Sequence, residues 1–514
     1  MAPSPAPIRS QRVIAALAGV ASALAGLGCG ELVAGLAVPS GSPIAAVGAA
    51  VIAVLPGWFI HLAIGLFGTA DKAVLLAGVA LVVLILGAIA GMTELARPPI
   101  GRVIVLLIGA LALVTAVTRP GATAWDALPS VVATVVGALV LGLLIRRLRT
   151  GAPEHGGRPM DRRTFLAALG GTAVAGILAT VAGQALSAGV RAVDSARALF
   201  KLPRAAEAAA AIPAGAALDV AGITPLVTPN ADFYRIDTAL SVPRVDAETW
   251  SLKITGLVKR EVTVTFDELV GLPLKESTIT LACVSNPIGG DLIGNATWLG
   301  YPIRDLLALA GPMPDADMVL SRSSDGFTAG TPLEALTDGR DALLAIGMNG
   351  EPLPLEHGYP VRMVVPGLYG YVSATKWVVE LKVTRFDRES AYWTGLGWSE
   401  RGPIKLSSRI DVPRAGATVQ AGLVPVGGIA WAQHTGISAV QVRVDTGEWQ
   451  EATLGAPISA DTWRQWVWQW PAEPGRHLLS VRAVDAVGKT QTAQVADVLP
   501  DGATGLHRVN VTVI

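Results

Sequence analysis

Residues 278–307 read TITLACVSNPIGGDLIGNATWLGYPIRDLL and contain the most informative pattern in the chain. The β-branched and apolar start of this segment predicts a strand that ends at Cys283. Turn-forming residues follow from Ser285 to Gly290, so the cysteine lies where a strand opens into a loop. A thiol in this position is suited to reaction or to metal ligation, because a soft thiolate binds a soft metal. These residues alone leave a second interpretation open, that of an inert cysteine packed as a small apolar side chain.

The sequence around this segment predicts an α+β domain. The runs WSLKITG (250–256) and EVTVTFDEL (261–269) alternate between apolar and polar residues with the period of half-buried strands. YPIRDLLALAG (301–311) has helical spacing and is closed by Gly311. Mixed strands and helices continue to about residue 390.

From about residue 405 the helical signals nearly vanish. Short strands such as AVQVRVD (439–445), QWVWQW (465–470) and HLLSVRAVD (477–485) are separated by turn residues. This pattern predicts a C-terminal antiparallel β-sandwich of the immunoglobulin type.

The N-terminal region of the chain is predicted to be an all-α membrane bundle. Charged residues make up 16% of the 514 residues, against about 25% in soluble domains, and the mean hydropathy is +0.51. Five apolar runs have the roughly 20 residues that a membrane span needs: about 13–37, 73–92, 101–118, 128–145 and 165–189. A sixth apolar run, 44–67, is interrupted by Pro56-Gly57.

Arginines near the spans predict the topology, because cytoplasmic loops are enriched in basic residues. Arg9 and Arg12 place the N-terminus inside, and Arg97 and Arg102 place their loop inside. These assignments agree only if 44–67 is a broken or re-entrant element. The alternative is an external N-terminus with six spans. The linker before the last span is also placed inside by its arginines: Arg146, Arg147, Arg149, Arg158, Arg162 and Arg163.

In either topology the last span leads outward, which predicts a multi-pass protein of the cytoplasmic membrane with an extracytoplasmic catalytic domain. The segment MDRRTFLAALGGTAVAGI (160–177) resembles a twin-arginine export signal, with its motif at 161–166. The alternative is that these arginines only anchor the span. The predicted divisions are a membrane region (1–190), a linker (191–227), a catalytic domain (228–395) and the sandwich (405–514).

Charge, cysteine and histidine content narrow the possible functions. Forty basic residues balance forty acidic ones, so nucleic acid is not an expected partner. The two cysteines, Cys29 and Cys283, lie in different regions of the chain and predict no disulfide framework. Only His61 among the histidines lies in an apolar run, which excludes a bis-histidine haem within this chain. Glu31 is the one carboxylate predicted to lie deep in a span.

Four blocks in the same order resemble the sulfite oxidase family of molybdenum enzymes, over about residues 225–514. The resemblance covers 278–307, with its ATWLG and RDLL sequences, and TPNADFYRIDT at 228–238. The longest block is NGEPLPLEHGYPVRMVVPGLYGYVSATKW at 349–377. The sandwich, with RAVDAVGKTQ at 482–491, resembles the family's C-terminal dimerisation domain.

The resemblance implies molybdopterin, the molybdenum cofactor, and oxygen-atom transfer to or from a small oxo-substrate. Cys283 would ligate the metal. Electrons would pass to a separate carrier, a quinone or a cytochrome, and the protein would form a homodimer. The implied catalytic residues are Cys283, Phe327 and Arg235. The implied cofactor-binding residues are Asn230, Phe233, Tyr234, Arg235, Cys283, Ser285, His357, Arg362 and Lys376.

The chemistry of the long block agrees with this implication. Arg362 and Lys376 lie near Gly-rich turns, where an arginine offers a bidentate fork to a phosphate and a lysine offers a point charge. His357 can add a ring donor.

Three departures from the sulfite-oxidising pattern leave the substrate open. Phe327 stands where those enzymes have a tyrosine, Ser285-Asn286-Pro287 replaces an arginine-containing stretch, and Asp237 lies near the place of a histidine. The interpretations are therefore a molybdopterin oxidoreductase of unknown substrate, a sulfoxide-type reductase, or a non-catalytic binding module tethered to the membrane.

Overall fold

The computed structural model of the protein describes residues 9–38, 41–56, 59, 62–63, 66–67, 70–119, 122–150, 162–186, 188–240 and 242–514. The chain divides into two units. The first comprises Met1–Ala196 with Ala239–Ser241, and the second comprises Arg197–Thr238 with Val242–Ile514.

The first unit is helical. Its long helices are α1 (Arg9–Ala37), α3 (Asp71–Ala96), α4 (Ile100–Val117), α5 (Ala127–Thr150) and α6 (Arg162–Leu186). The shorter helices are α2 (Pro43–Val54), between α1 and α3, and α7 (Ala188–Leu199), after α6. Five helices among the described residues are long and apolar enough to cross a membrane, namely α1, α3, α4, α5 and α6. These are the five runs that the sequence predicts. A membrane-type N-terminal region is therefore confirmed at the level of its apolar helices.

In the interrupted run 44–67 the short helix α2 ends at Val54, and the described residues 59, 62–63 and 66–67 are also helical. Gly57 and His61 lie outside the described residues, as does the segment 151–161 with Arg158. Whether 44–67 forms a re-entrant element stays a prediction.

Helix α1 packs closely against its neighbours through glycines. A Cβ atom on Gly28 would overlap the carbonyl oxygen of Gly176 in α6, and Gly35 faces Gly183 in the same way. Small residues let apolar helices approach closely in a membrane. Gly176 and Gly183 of α6 therefore have a packing role against α1.

Glu31 lies in α1 with 6% of its surface exposed. Its carboxylate accepts hydrogen bonds from the Ser42 hydroxyl at 2.9 Å and from the Ile44 N–H at 3.3 Å. That Glu31 is the one carboxylate deep within a span stays a prediction. Glu94 is also buried, at the end of α3, where Arg102 from the next helix neutralises it at 2.8 Å.

The second unit begins with a mixed sheet and an antiparallel sheet. One has the strand order β2-β1-β10-β5-β6, and the other has β3-β4-β7-β8 with β9 paired to β7. The strands are β1 (Ser251–Gly256), β2 (Val262–Thr265), β3 (Lys275–Ala282), β4 (Ile293–Pro302), β5 (Met318–Ser323), β6 (Thr328–Pro332), β7 (Leu343–Met348), β8 (Glu351–Pro352), β9 (Arg362–Val364) and β10 (Val378–Thr384). The helices are α8 (Phe266–Val270), α9 (Ile303–Ala310), α10 (Leu333–Thr337) and α11 (Gly370–Ser373).

Helix α9 was predicted, and Gly311 ends it in the left-handed conformation with φ +68°. The second predicted strand was partly wrong, because β2 stops at Thr265. Thr265 and Glu268 form a capping box, with Glu268 accepting from the Thr265 N–H at 2.8 Å, and this cap starts α8.

The remainder of the second unit contains two more sheets, with orders β11-β13-β17-β16 and β12-β19-β18-β14-β15. Their strands are β11 (Ser407–Val412), β12 (Thr418–Val419), β13 (Gly422–Trp431), β14 (Ile437–Val444), β15 (Gln450–Glu451), β16 (Thr453–Leu454), β17 (Arg464–Ala472), β18 (Gly475–Asp485) and β19 (Arg508–Val513). Side chains of both sheets, such as Trp466 and Val481, share one core. The β-rich C-terminal region is confirmed, and its immunoglobulin type stays a prediction.

A larger core joins these regions. Trp431 and Trp463 of the C-terminal region belong to the same buried cluster as Leu299 and Met363. Ala216 and Leu226, in the segment predicted to be a linker, are also members of it. The limits of the predicted domains stay a prediction, but the linker segment packs as core.

Candidate active site

Cys283 directly follows the last residue of β3, as the sequence predicts. Its side chain is 8% exposed. The Cys283 N–H donates to the Leu292 carbonyl at 2.9 Å, and the Asn286 N–H donates to the Cys283 carbonyl at 3.1 Å. These bonds close the base of the loop between β3 and β4, so the thiol has a fixed position at the strand end.

The environment of the Cys283 sulfur keeps the thiol protonated. Burial raises the pKa of the thiol, while hydrogen bonds from Ser285 and the charge of Lys376 act in the opposite direction. Without a cation at the sulfur, the thiol keeps its proton. A soft metal ion would take the place of that proton, because metal ligation requires the thiolate.

Arg362 is a buried guanidinium in β9, only 4% exposed. It donates to the carbonyls of His357 at 3.1 Å and Met363 at 3.3 Å, and it lies 5.0 Å from the centre of the Trp298 ring. Burial lowers its pKa to about 10. Among the described residues no carboxylate forms an ion pair with Arg362. A buried cation without a counter-ion is costly, so this position calls for an anion.

His357 lies beside Arg362 and is 2% exposed. Burial, together with the charges of Arg362 and Lys376, lowers its pKa to about 3, so the ring is neutral. Its Nε2 lies 3.2 Å from the Asn230 carbonyl, which assigns the proton to that nitrogen. Nδ1 is buried without a hydrogen-bond partner. This nitrogen can accept a hydrogen bond from a bound group or from water.

Lys376 lies on the other side of Gly358, whose left-handed backbone has φ +111°. Its ammonium donates to Asp237 at 3.0 Å and to the Glu356 carbonyl at 2.9 Å. Burial lowers the pKa of Lys376 to about 8, and Asp237 opposes that shift. Asp237 also pairs with Arg235 at 3.0 Å.

The charges of this group do not balance. Three cations, Arg235, Arg362 and Lys376, face one carboxylate, Asp237. With His357 neutral, two positive charges remain. The group therefore offers a preformed site for an anion that carries about two negative charges, such as a phosphate.

The segment 228–238 supplies two aromatic residues with different positions. Phe233 is 5% exposed and packs edge-on against Trp298 at 5.7 Å and His357 at 5.5 Å, so it supports the site from behind. Tyr234 is half-buried, and burial raises its pKa, with Cys283 raising it further and Arg362 lowering it. The pKa of the Tyr234 hydroxyl thus responds to both the thiol of Cys283 and the guanidinium of Arg362.

Two other predicted residues have different surroundings. The Asn230 amide donates to the Met348 carbonyl at 3.2 Å and accepts from Asn349 at 2.8 Å, which fixes the segment to β7. Phe327 lies in the turn between β5 and β6, where its ring packs 6.0 Å from that of Tyr392. The catalytic role of Phe327 and that of Arg235 stay predictions.

Sequence reasoning missed Trp298 and Tyr369 as site residues. Trp298 lies under Arg362 and is fully buried. Tyr369 is 6% exposed, and burial raises its pKa to about 12, with Cys283 adding to the shift. Both residues lie inside the blocks ATWLG and GLYGY. The available signal was an aromatic residue within two positions of a glycine. That pattern on its own also fits an ordinary core residue.

Comparisons with known proteins agree with the position of this site. Residues 239–393 match the family model of the oxidoreductase molybdopterin binding domain, and this range includes Cys283, His357, Arg362 and Lys376. The mitochondrial sulfite oxidase of Macaca fascicularis is 30% identical over 321 residues, which cover 53% of this chain and 58% of that protein. The chain thus spans little more than half the length of this relative.

Two further proteins are similar over shorter or more divergent stretches of the chain. Nitrate reductase (NADH) 1 of Oryza sativa subsp. japonica is 34% identical over 193 residues, covering 32% of this chain and 21% of that protein. A solved structure, the sulfane dehydrogenase SoxCD from Paracoccus pantotrophus, is 24% identical with a TM-score of 0.48, over 56% of this chain and 82% of that one.

The pKa of His357 makes acid stability a test of this geometry. The folded pKa is about 3, whereas an unfolded histidine titrates near about 6.5. Below about pH 6.5 the unfolded chain binds a proton that the folded chain excludes, so stability falls as the pH falls towards 3, by up to about 1.4 kcal/mol per pH unit. His357→Gln cannot protonate and should lose this component of the acid sensitivity.

Thermal unfolding of the full chain in detergent between pH 7 and pH 4 measures the difference. His434→Gln, at a histidine whose side chain is 48% exposed, is the matched control. Identical pH dependence in wild type and His357→Gln would contradict a neutral buried ring at this position.

Proposed function

We propose that the chain is a sulfite oxidase-like, molybdopterin-dependent oxidoreductase that transfers an oxygen atom at a molybdenum ion ligated by Cys283. The N-terminal helices anchor the enzyme in the cytoplasmic membrane, and the catalytic unit faces outward. The observation that carries the proposal is the buried guanidinium of Arg362 without a carboxylate, next to the unpaired Nδ1 of His357.

The residues present fit the cofactor. Arg362 and Lys376 would hold the phosphate of molybdopterin, because the two unbalanced positive charges of the group match its negative charge. The Nδ1 of the neutral His357 ring would accept a hydrogen bond from a donor group of the cofactor. Cys283 would hold the metal, and its thiol would release its proton on binding. The segment that contains Asn230 and Tyr234 would flank the pterin.

The bound cofactor supplies a two-electron oxygen-atom exchange, whose electrons then pass singly to a carrier. The chain provides the environment. Lys376 stabilises the thiolate of Cys283 by its charge. Tyr234 keeps its proton at neutral pH because its pKa is raised, so its hydroxyl can donate a hydrogen bond to an oxygen of the substrate. The burial of Cys283 excludes water from the ligating sulfur.

Three single substitutions separate the metal ligand from the phosphate site. In full-length protein from a host that makes the cofactor, Arg362→Met should lose both pterin and molybdenum, because the phosphate loses its buried partner. Cys283→Ser should keep pterin while its molybdenum content falls or its metal spectrum changes. Cys29→Ser, at the chain's other cysteine, should retain both.

Molybdenum and released pterin per mole of protein are the measurements. Full cofactor in Arg362→Met, or an unchanged metal spectrum in Cys283→Ser, would contradict the assignment of that residue. No cofactor in the wild type would leave the alternative of a non-catalytic binding module.

The same site favours a neutral oxo-substrate, such as a sulfoxide, over sulfite. Asp237 pairs with Lys376 and so reduces the positive charge available to an anionic substrate. Phe327 stands where sulfite-oxidising enzymes have a tyrosine, and its ring donates no hydrogen bond. The corresponding reaction takes up two electrons and two protons, and converts the sulfoxide to a sulfide and water.

Steady-state assays with artificial electron donors and acceptors test this preference. We expect kcat/KM for sulfoxide reduction to exceed that for sulfite oxidation by about tenfold or more. Asp237→Asn should lower KM for sulfite, since it removes the charge that neutralises Lys376, whereas Asp325→Asn in an exposed turn should not. Sulfite as the better substrate of the wild type would overturn the sulfoxide proposal and leave the cofactor assignment intact.

The membrane orientation follows from the basic residues. Arg146, Arg147 and Arg149 end α5 on one side, and α6 then crosses to the other. The arginines that begin α6 would serve a twin-arginine route, which carries folded, cofactor-loaded proteins. A quinone or a cytochrome would exchange electrons with the site, and the C-terminal sheets would form a homodimer.

Reporter fusions test the orientation. Alkaline phosphatase fused after Ile514 should be active, because that enzyme folds only outside the cytoplasm. The same reporter fused after Thr150 should be inactive, and a fluorescent protein at that position should be bright. The reverse pattern would contradict an extracytoplasmic catalytic unit.

A further inference from the structure

We propose that Arg409, in β11, and His507, which directly precedes β19, are positioning residues that hold the loop carrying Cys283. Together with Asp411 and Thr224 they form what we term the loop clamp. The inference rests on the proposed function only in taking Cys283 as the metal ligand. It gives the C-terminal region a role within one subunit's active site.

Arg409 lies in β11 and is 9% exposed. Its guanidinium connects three separate segments of the chain. It donates to the Gly290 carbonyl at 2.7 Å, to the Thr224 hydroxyl at 2.6 Å and to the Asp411 carboxylate at 2.6 Å. The other oxygen of Asp411 accepts from the Thr224 N–H at 3.0 Å. Both carboxylate oxygens of Asp411 thus have a hydrogen-bond partner within the group.

The Gly290 carbonyl belongs to the loop that follows Cys283. Within this loop the Gly290 N–H donates to the Pro287 carbonyl at 2.9 Å, and the Leu292 N–H donates to the Asn286 side chain at 3.0 Å. The Cys283 N–H bonds to the Leu292 carbonyl at the base of the loop. A shift of Gly290 is therefore transmitted through Asn286 and Leu292 to the residue that carries the sulfur.

His507 contacts the same loop one residue earlier. Its ring lies against Gly289, where a Cβ atom would overlap the ring and where φ is +74°. The ring is itself fixed, because its Nδ1 accepts from the Ile410 N–H at 3.0 Å. Ile410 adjoins Arg409 in β11, so one strand holds both contacts to the loop. Glycine is required at position 289 both by this close approach and by its backbone conformation.

A general role in stability does not require this arrangement. Other contacts already join the C-terminal sheets to β3, such as the Gln433 amide, which donates to the Thr280 carbonyl at 3.1 Å. The loop clamp differs because it contacts the loop that follows β3 and Cys283. A charged hydrogen bond to a carbonyl is also stronger than a neutral one. Its loss should therefore release the loop before it unfolds the sheets.

The reactivity of the Cys283 thiol reports the position of the loop without any cofactor. The experiment uses the full chain with Cys29→Ser, purified in detergent from a host that cannot make the cofactor, so that Cys283 is the only thiol. The rate of alkylation by iodoacetamide is measured at fixed pH. We expect Arg409→Met to raise this rate about tenfold or more, because loss of a charged hydrogen bond opens the loop.

Arg464→Met is the matched control. Arg464 also lies in a C-terminal sheet and donates to two carbonyls, those of Gly455 at 2.6 Å and Ile437 at 2.8 Å, but not to the loop after Cys283. Its alkylation rate should equal that of the parent. Arg409→Lys should restore some of the protection, since a lysine can reach a single carbonyl.

The proposal is overturned if Arg409→Met alkylates at the parental rate, or if Arg464→Met reacts as fast as Arg409→Met. If Arg409→Met does not fold, His507→Ala decides instead, because it removes the ring beside Gly289 and should raise the rate in the same way. In cofactor-loaded protein, Arg409→Met should also shift the molybdenum reduction potential. An unchanged potential together with faster alkylation would count against Cys283 as ligand and leave the clamp in place.

Discussion

Arg362 is buried, no carboxylate in the part of the chain that the structure describes pairs with it, and the rest of the site is arranged around this charge. Trp298 lies under the guanidinium, His357 is kept neutral beside it, and Lys376 approaches from across Gly358. Only one carboxylate, Asp237, enters the group. A buried positive charge without a counter-ion is unfavourable by itself. A bound phosphate would neutralise this charge and would therefore bind more tightly. The fold can maintain it because β7, β9 and the segment 228–238 hold these side chains through backbone hydrogen bonds.

The thiol and the anion site belong to different regions of the sequence but to one environment. Cys283 follows β3, and Lys376 precedes β10, yet the ammonium influences the thiol, and Tyr234 responds to both Cys283 and Arg362. A cofactor with a phosphate at one end and a metal at the other fits this separation of roles. The C-terminal sheets complete the environment by holding the loop after Cys283 through Arg409 and His507.

Several sequence predictions were confirmed because they depend on local patterns. Apolar runs of sufficient length gave the five long helices, and Gly311 ended α9 where a left-handed residue was needed. The strand that ends at Cys283 was likewise recognisable from β-branched residues followed by turn residues. The failure at residues 261–269 was also local. The alternating pattern was real only to Thr265, where a capping box started a helix instead.

The sequence by itself determined the long apolar helices, the strand-and-loop setting of Cys283 and the cationic residues of the long block, because each is encoded by neighbouring residues. Only the tertiary structure decided that Arg362 lacks a carboxylate, that His357 is neutral, and that Asp237 takes up the charge of Lys376. It alone showed that the segment predicted as a linker packs into the core and, through Thr224, reaches Arg409. Burial and charge pairing join residues more than a hundred positions apart, and no local pattern records which of them will meet.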